Sequence, residues 1–334
     1  MIISCYDFSM NFTDEKYSIN MQQPLTLLLA YLQTHNYVFT TISPTSHERV
    51  NSRLQNAIAI SLVDIFGWNR PFKRDAIEVK LFDLMQSANI IIKVGDLWKS
   101  KLRVSSIDGL LFLHSAYPTL GNEAVFFGPD TYRFANVIKQ YFATHHQLIL
   151  RSVDIGTGSG VGAVILASAL AKLESESEVE ITAVDINSDA LSLARANITA
   201  ANINNIELIH SNLLYNVTGN FDLIVANPPY LFDKTERAYR HGGGLLGADL
   251  SLAIVDTAMQ RLNPNGTLLL YTGVAIVNGY DAFLAEVADK LNFSGFTYEY
   301  TEIDPDIFGE ELSSEAYSTA DRIAAVVLTA QKTI

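Results

Sequence analysis

Val153-Asp154-Ile155-Gly156-Thr157-Gly158-Ser159-Gly160 closes an apolar run that begins at Leu148, and it opens a segment of helical character. A glycine turn at the carboxyl end of a first strand is where the ligands of open α/β sheets bind. Glycine serves there because the backbone must turn sharply and let a ligand approach with no Cβ in the way. The dinucleotide fingerprint Gly-x-Gly-x-x-Gly would need a glycine at 161, where Val161 stands. Outward from this turn, short apolar runs at 148–155, 179–185, 206–210, 221–226, 267–273, 296–302 and 322–330 alternate with amphipathic patterns near 160–173, 188–203, 249–263 and 278–292. That alternation predicts a doubly wound, Rossmann-like α/β sheet.

Upstream the pattern changes. Apolar residues at three-and-four spacing over 22–34, 46–65 and 75–88, as in Leu54, Ile58, Leu62 and Ile65, predict three helices packed as a small bundle. The period-two stretch Lys99–Val104, the Asp108-Gly109 turn signal and the run Leu110–Leu113 predict a β-hairpin. Helices ending in a hairpin suggest a winged-helix-like module over 1–120, serving substrate recognition or dimerisation, ahead of a sheet domain over 121–334. The stretch Glu174–Glu180 is expected to be a solvated loop.

The 334 residues suffice for two domains, and 49 % hydrophobic with 18 % charged residues excludes disordered and low-complexity classes. No apolar run reaches the roughly 18–20 residues that span a bilayer, and Met1–Asp7 lacks a basic segment followed by an apolar one, so a cytoplasmic protein is expected. Cys5 stands alone and no Cys/His cluster has zinc spacing, so neither a disulfide nor a metal is expected. Residues 1–125 carry 11 basic and 11 acidic side chains, whereas 126–334 carry 12 and 25, which is the whole net charge of −13. A field of that sign repels a polyanion, so nucleic acid is a disfavoured partner. Arg70, Lys73, Arg74, Lys99, Lys101 and Arg103 could form a DNA-binding face, or their alternation could blunt an exposed edge strand.

Ile181-Thr-Ala-Val-Asp185-Ile186-Asn187 places an acid at the end of the second strand, where a carboxylate can accept both ribose hydroxyls or can charge a helix N-terminus. Further on comes Phe221-Asp-Leu-Ile-Val-Ala-Asn227-Pro228-Pro229-Tyr230. With the acid before a Gly-x-Gly-x-Gly turn and the strand-two acid, this segment resembles the class I S-adenosylmethionine-dependent methyltransferases of the Asn-Pro-Pro-Tyr type. That family includes the release-factor glutamine and adenine-N6 methyltransferases, and the resemblance covers about 126–334.

The resemblance implies S-adenosyl-L-methionine as the cofactor, held by Asp154, Gly156, Thr157, Gly158 and Gly160 from the first turn and by Asp185 and Ile186 from the second. Asn212, Leu213 and Asn227 would complete that set. It also implies Asn227, Pro228 and Tyr230 as catalytic residues. The Asn227 oxygen and Pro228 carbonyl would accept the two N–H bonds of a planar nitrogen, and Tyr230, beside Pro229, would stack on the acceptor. One departure concerns the third strand end, where the family has Asp and this chain has His210-Ser211-Asn212-Leu213. An Asn can still accept a hydrogen bond from adenine, but without charge.

Three further segments border the expected site. Phe126-Phe127-Gly128-Pro129-Asp130-Thr131-Tyr132-Arg133 occupies the place of the family's Pro-rich segment, as an active-site wall contributing Phe127 and Tyr132 or as an interdomain linker. Tyr239-Arg240-His241-Gly242-Gly243-Gly244 is a glycine-rich loop able to cover a substrate, with Arg240 and His241 at its start. The acids from Glu302 to Glu315 form either a solvated loop or a screen that selects cationic substrates. The expected function is N-methylation of an amide, amino or guanidino nitrogen on a small molecule or protein, with a homodimer as one use of the N-terminal module. The alternatives are an adenine-N6 nucleic-acid methyltransferase and a DNA-binding regulator that senses the methyl donor.

Overall fold

The computed structural model describes residues 16–117, 121, 123–173, 179–233, 237, 239–244 and 246–333. Cys5 and most of the 174–180 stretch lie outside them. The N-terminal part contains α1 (Lys16–Thr34), α2 (Pro44–Asn51), α3 (Val79–Ser87) and two hairpins, β1 (Ile91–Val94) with β2 (Leu97–Ser100) and β3 (Leu102–Ile107) with β4 (Leu110–Ser115). The second hairpin closes through Asp108 and Gly109, both at positive φ, as a two-residue turn between right-twisting strands requires.

The helix predicted over 46–65 is broken. Ser43 caps α2, which ends at Asn51, and single turns at Leu54–Asn56 and Val63–Gly67 follow. Leu54 is 94 % exposed and Ile65 is buried, so the spacing of these apolar residues does not mark one buried stripe. The winged-helix likeness ends there too. Arg70 and Arg103, two of the six side chains of the supposed basic face, are buried, and the second hairpin is covered by α1 and by a helix of the sheet domain. The stretch Lys99–Val104 is shared between two hairpins, with Lys99 on β2.

The remainder runs α4 (Pro129–Thr144), β5 (Arg151–Ile155), α5 (Val161–Leu170), β6 (Glu180–Asp185), α6 (Ser188–Ala200), β7 (Ile206–His210), β8 (Phe221–Ala226), α7 (Asp249–Arg261), β9 (Leu262–Val277), β10 (Tyr280–Asp281), α8 (Ala282–Asn292), β11 (Phe296–Asp304) and β12 (Arg322–Lys332). The sheet order is β11-β12-β9-β8-β5-β6-β7, with β10 paired to β9. Strands β7, β6, β5, β8 and β9 are parallel, while β12 inserts antiparallel between β9 and β11. The order reverses at β5, so the carboxyl ends of β5, β6 and β8 open a crevice at the switch point.

One apolar layer, with Val164, Leu166 and Tyr271, covers one face of the sheet, and another, with Ile254, Val255 and Phe283, covers the other. The N-terminal part adds a third cluster in which Leu25, Leu28, Leu29 and Leu32 of α1 meet Ala190, Leu193 and Ala196 of α6. Burial of each leucine contributes about 1.5–3 kcal/mol. Asn197 of α6 fixes the register of this contact. Its Oδ1 accepts the Leu113 N–H at 2.8 Å, and its Nδ2 donates to the Leu113 carbonyl and to the Ser159 carbonyl of the glycine turn. Among the described residues no helix is long and apolar enough to cross a membrane, and no three metal-binding side chains cluster.

Candidate active site

The crevice holds a cavity of about 220 Å³ lined by the ends of β5, β6 and β8, the turn after β7 and the start of α4. Gly156, Gly158 and Gly160 all take positive φ, which carries the chain from β5 into α5 without strain. Beneath them Asp154 is buried, and its Oδ2 accepts the Thr157 hydroxyl at 2.6 Å and the Ala163 N–H at 2.9 Å. It thereby ties the turn to the first residues of α5. Burial pushes the Asp154 carboxyl up to about 6, against the pull of those two donors. At the end of β6, Asp185 accepts the Gly158 N–H at 2.8 Å and the Asn187 N–H at 2.9 Å. Burial raises its carboxyl as well. Ile186 is exposed on the rim, and Asn212 and Leu213 face the cavity from the turn after β7. The Asn212 side chain makes no hydrogen bond among the described residues.

Asn227, Pro228, Pro229 and Tyr230 follow β8 and form the opposite wall. The half-buried Asn227 carboxamide and the Pro228 carbonyl have no hydrogen-bond partner among the described residues, so both acceptors are available to a ligand. The glycine-rich loop supports this turn from behind. Gly242 donates its N–H to Leu231, and a Cβ on Gly242 or Gly247 would run into the backbone of Pro229 and Tyr230. At these glycines the two backbones approach too closely for a side chain to sit between them, while Tyr239 and Arg240 of the same loop line the cavity.

Tyr230 lies with its ring against β9 at Gly273, where a Cβ would come 2.3 Å from the ring, and with Phe308 edge-on at 6.0 Å. Its hydroxyl donates to Asp130 Oδ2 at 2.7 Å, while the Tyr271 hydroxyl donates to Asp130 Oδ1 at 2.5 Å. Burial and the Asp130 charge push both phenols far above their ordinary range. Arg133 pairs with Asp130 at 2.9 Å and with Asp304 at 2.6 Å. In the sequence Asp130 is one residue of the Phe126–Arg133 segment and Tyr271 one residue of the apolar run 267–273, with no local signal of the cluster they form.

The structure brings Asp154, Gly156, Thr157, Gly158, Asp185, Ile186, Asn212, Leu213, Asn227, Pro228, Pro229, Tyr230 and Arg240 to one cavity, with Gly160 just behind it at the start of α5. Phe127, Tyr132 and His241 do not line it. Phe127 stacks on His114, and the Tyr132 hydroxyl accepts the Thr41 N–H at 2.9 Å, both on the N-terminal side. His241 Nδ1 accepts the Asp233 N–H. The cavity wall instead gains Phe126, Tyr239 and Phe308. The acidic stretch does fold back through Phe308, but Asp304 and Glu311 are engaged by Arg133 and Arg240, which removes their pull on a cationic substrate.

A seven-stranded path with one reversed strand, a glycine turn at its switch point and an acid on the next strand end match the arrangement implied by the sequence resemblance to class I S-adenosylmethionine-dependent methyltransferases. Residues 136–294 match the methyltransferase small domain model. The release factor glutamine methyltransferase of Lactococcus lactis subsp. lactis is 33 % identical over 188 residues, 52 % of this chain and 63 % of that protein. The ribosomal protein uL3 glutamine methyltransferase of Neisseria gonorrhoeae is 38 % identical over 102 residues, 27 % of this chain and 34 % of that protein. The chain thus spans between a third and two thirds of the length of these relatives. Among solved structures, a ribosomal protein L11 methylase from Lactobacillus delbrueckii subsp. bulgaricus superimposes with TM-score 0.41 at 20 % identity, covering 62 % of this chain and 81 % of that one.

The residues fit S-adenosylmethionine. Open space lies over Gly156, where a Cβ would meet nothing within 4 Å, Asp185 stands at the strand end, and Ile186 with the unbonded Asn212 offers an apolar surface and an amide for a base. Asp185→Ala is expected to weaken S-adenosylmethionine binding by about 1–3 kcal/mol, the loss of a charged hydrogen-bond acceptor. Calorimetric titration giving wild-type affinity in a folded variant would remove Asp185 from the cofactor site.

Asp154 has a consequence for stability. Its carboxyl ionises near 3.8 when unfolded and near 6 in the fold, so between these values the folded chain binds more protons and stability falls as pH rises. At about 1.4 kcal/mol per unit the loss totals about 3 kcal/mol, complete above the folded value. Urea denaturation of wild type and Asp154→Asn should therefore show the variant gaining on the wild type between pH 4 and 6. Parallel pH profiles would contradict this.

Proposed function

We propose that the protein is an S-adenosylmethionine-dependent N-methyltransferase whose acceptor is a planar, amide-type nitrogen on a protein. The observation that carries the reading is a pair of acceptors with no partner among the described residues, Asn227 Oδ1 and the Pro228 carbonyl, on the cavity wall beside Tyr230. The names of the two relatives, both glutamine methyltransferases, support the acceptor class.

When bound, S-adenosylmethionine supplies a methyl group on a positively charged sulfur. An amide nitrogen is a poor nucleophile because its lone pair is delocalised, and it must move toward tetrahedral geometry to react. Asn227 Oδ1 and the Pro228 carbonyl accept its two N–H bonds, and they bind more strongly as positive charge develops there. Proline suits this position because it fixes φ and brings no N–H to compete. Tyr230, held by Asp130, sets the wall against which the planar group lies. No general base is required, since the nitrogen becomes acidic once methylated and its proton passes to solvent.

Incubation of the protein with donor labelled in the methyl group and a cell extract tests the reading. Label is expected in protein, at an alkali-stable amide nitrogen. Label confined to nucleic acid would select the adenine alternative, and label confined to small metabolites would remove the protein acceptor.

A further inference from the structure

We propose that a crevice on the N-terminal side of Phe126 is an oxyanion subsite, where Arg103 receives a carboxylate or phosphate oxygen of the acceptor molecule. Arg103, on β3, is only 4 % exposed. Its Nε donates to the Gly67 carbonyl at 2.8 Å and its Nη2 to Thr41 Oγ1 at 3.3 Å, and the guanidinium lies 5.6 Å from the Phe39 ring. No carboxylate pairs with it among the described residues.

The polar network around Arg103 is neutral throughout. Thr41 Oγ1 meets Ser105 Oγ at 2.5 Å, and Ser105 Oγ meets His114 Nε2 at 2.8 Å. Burial holds His114 well below its ordinary range, and Arg103 lowers it further. One buried cation with no anion costs several kcal/mol, a cost that a matching ligand charge would offset.

A crevice lies against this cation. Thr41, His47, Ser115 and Tyr117 line it with Arg103, none of them acidic, and Phe126 and Phe127 close it. Phe126 also lines the main cavity, so the crevice and the cavity that holds the Asn227 wall share this residue. His47 registers the local field. Its imidazole is lowered to about 4, first by burial and then by Arg103, with Lys99 and Arg70 adding to the effect. A positive concavity in a chain of net charge −13 runs against its overall field. The space admits about one water-sized group, so it suits one oxygen of a carboxylate or phosphate. Calling the ligand an acceptor rests on the methyl-transfer reading, whereas anion binding is measured without turnover.

Trp68 is a built-in reporter, with its ring stacked 5.6 Å from His47. The full chain is titrated with inorganic phosphate and, separately, acetate at constant ionic strength, while tryptophan fluorescence and the His47 imidazole pKa by NMR are followed. At least one anion should give a saturable fluorescence change and raise the His47 pKa. Tyr117→Phe should weaken that binding about tenfold, as expected for a hydrogen bond to a charged group, and Arg103→Gln should abolish it. The anion that binds identifies the group carried by the acceptor. If Arg103→Gln does not fold, the wild-type NMR shift and Tyr117→Phe decide. Absence of a saturable response to both anions, or an undiminished response in either folded variant, overturns the proposal. Failure of methyl transfer itself would show in the labelling experiment and not here.

Discussion

Asn227→Ala should lower turnover with the true acceptor about 100-fold or more, while S-adenosylmethionine affinity stays within a few-fold of wild type. Its carboxamide is half-buried just after β8 and makes no hydrogen bond among the described residues, so truncation removes no bond seen to hold the fold. What disappears is an acceptor whose bond strengthens as the nitrogen gains charge, and such a bond acts on the transition state more than on ground-state binding. Single-turnover rates with saturating donor, beside a calorimetric titration of the donor alone, separate the two effects. A variant with near-normal turnover would sink the nitrogen-methylation mechanism. Equal losses in both measurements would instead make Asn227 a cofactor residue.

The sheet domain is legible because parallel strands buried on both faces must be apolar runs, and because the glycines of its first turn each take a backbone conformation that other residues resist. The seven strands fall within a few residues of their predicted places, apart from β9, which starts five residues early and runs four longer at its end. The N-terminal part resists such reading. Apolar side chains there serve contacts distant in sequence, as when α1 packs on α6, while Leu54 and Ile60 are left in water. Periodicity counts them all alike. The site shows the same division. Asp185 and Asn227 stand at strand ends and announce themselves, whereas Phe127 and Tyr132 turn toward the N-terminal part because Thr41 and His114 wait for them there. Asp130 was hidden for the converse reason, since its partners lie 100 and 141 residues downstream.

Asp130→Ala should destabilise the protein by about 3–5 kcal/mol, the range for removing one member of a buried charged cluster. The carboxylate accepts two phenol hydroxyls, from Tyr230 and Tyr271, and an Arg133 N–H. Arg133 is 34 % exposed and keeps both Asp304 and water, so its share of the loss is small. The phenols have no such recourse. Tyr271 is fully buried and Tyr230 nearly so, and each orphaned hydroxyl costs about 1–3 kcal/mol. Tyr271→Phe alone should cost only about 1 kcal/mol, because it removes donor and bond together. In the Asp130→Ala background the same change should cost nothing or restore stability, since the hydroxyl it deletes is then a liability. Urea denaturation of the four proteins forms a double-mutant cycle, and additive losses would show that Asp130 does not act through the tyrosines. Turnover supplies a second readout. Without Asp130 the Tyr230 ring loses the bond that fixes its angle, so kcat should fall in Asp130→Ala with donor affinity kept, and Asp130→Asn, which still accepts a hydrogen bond, should recover part of it.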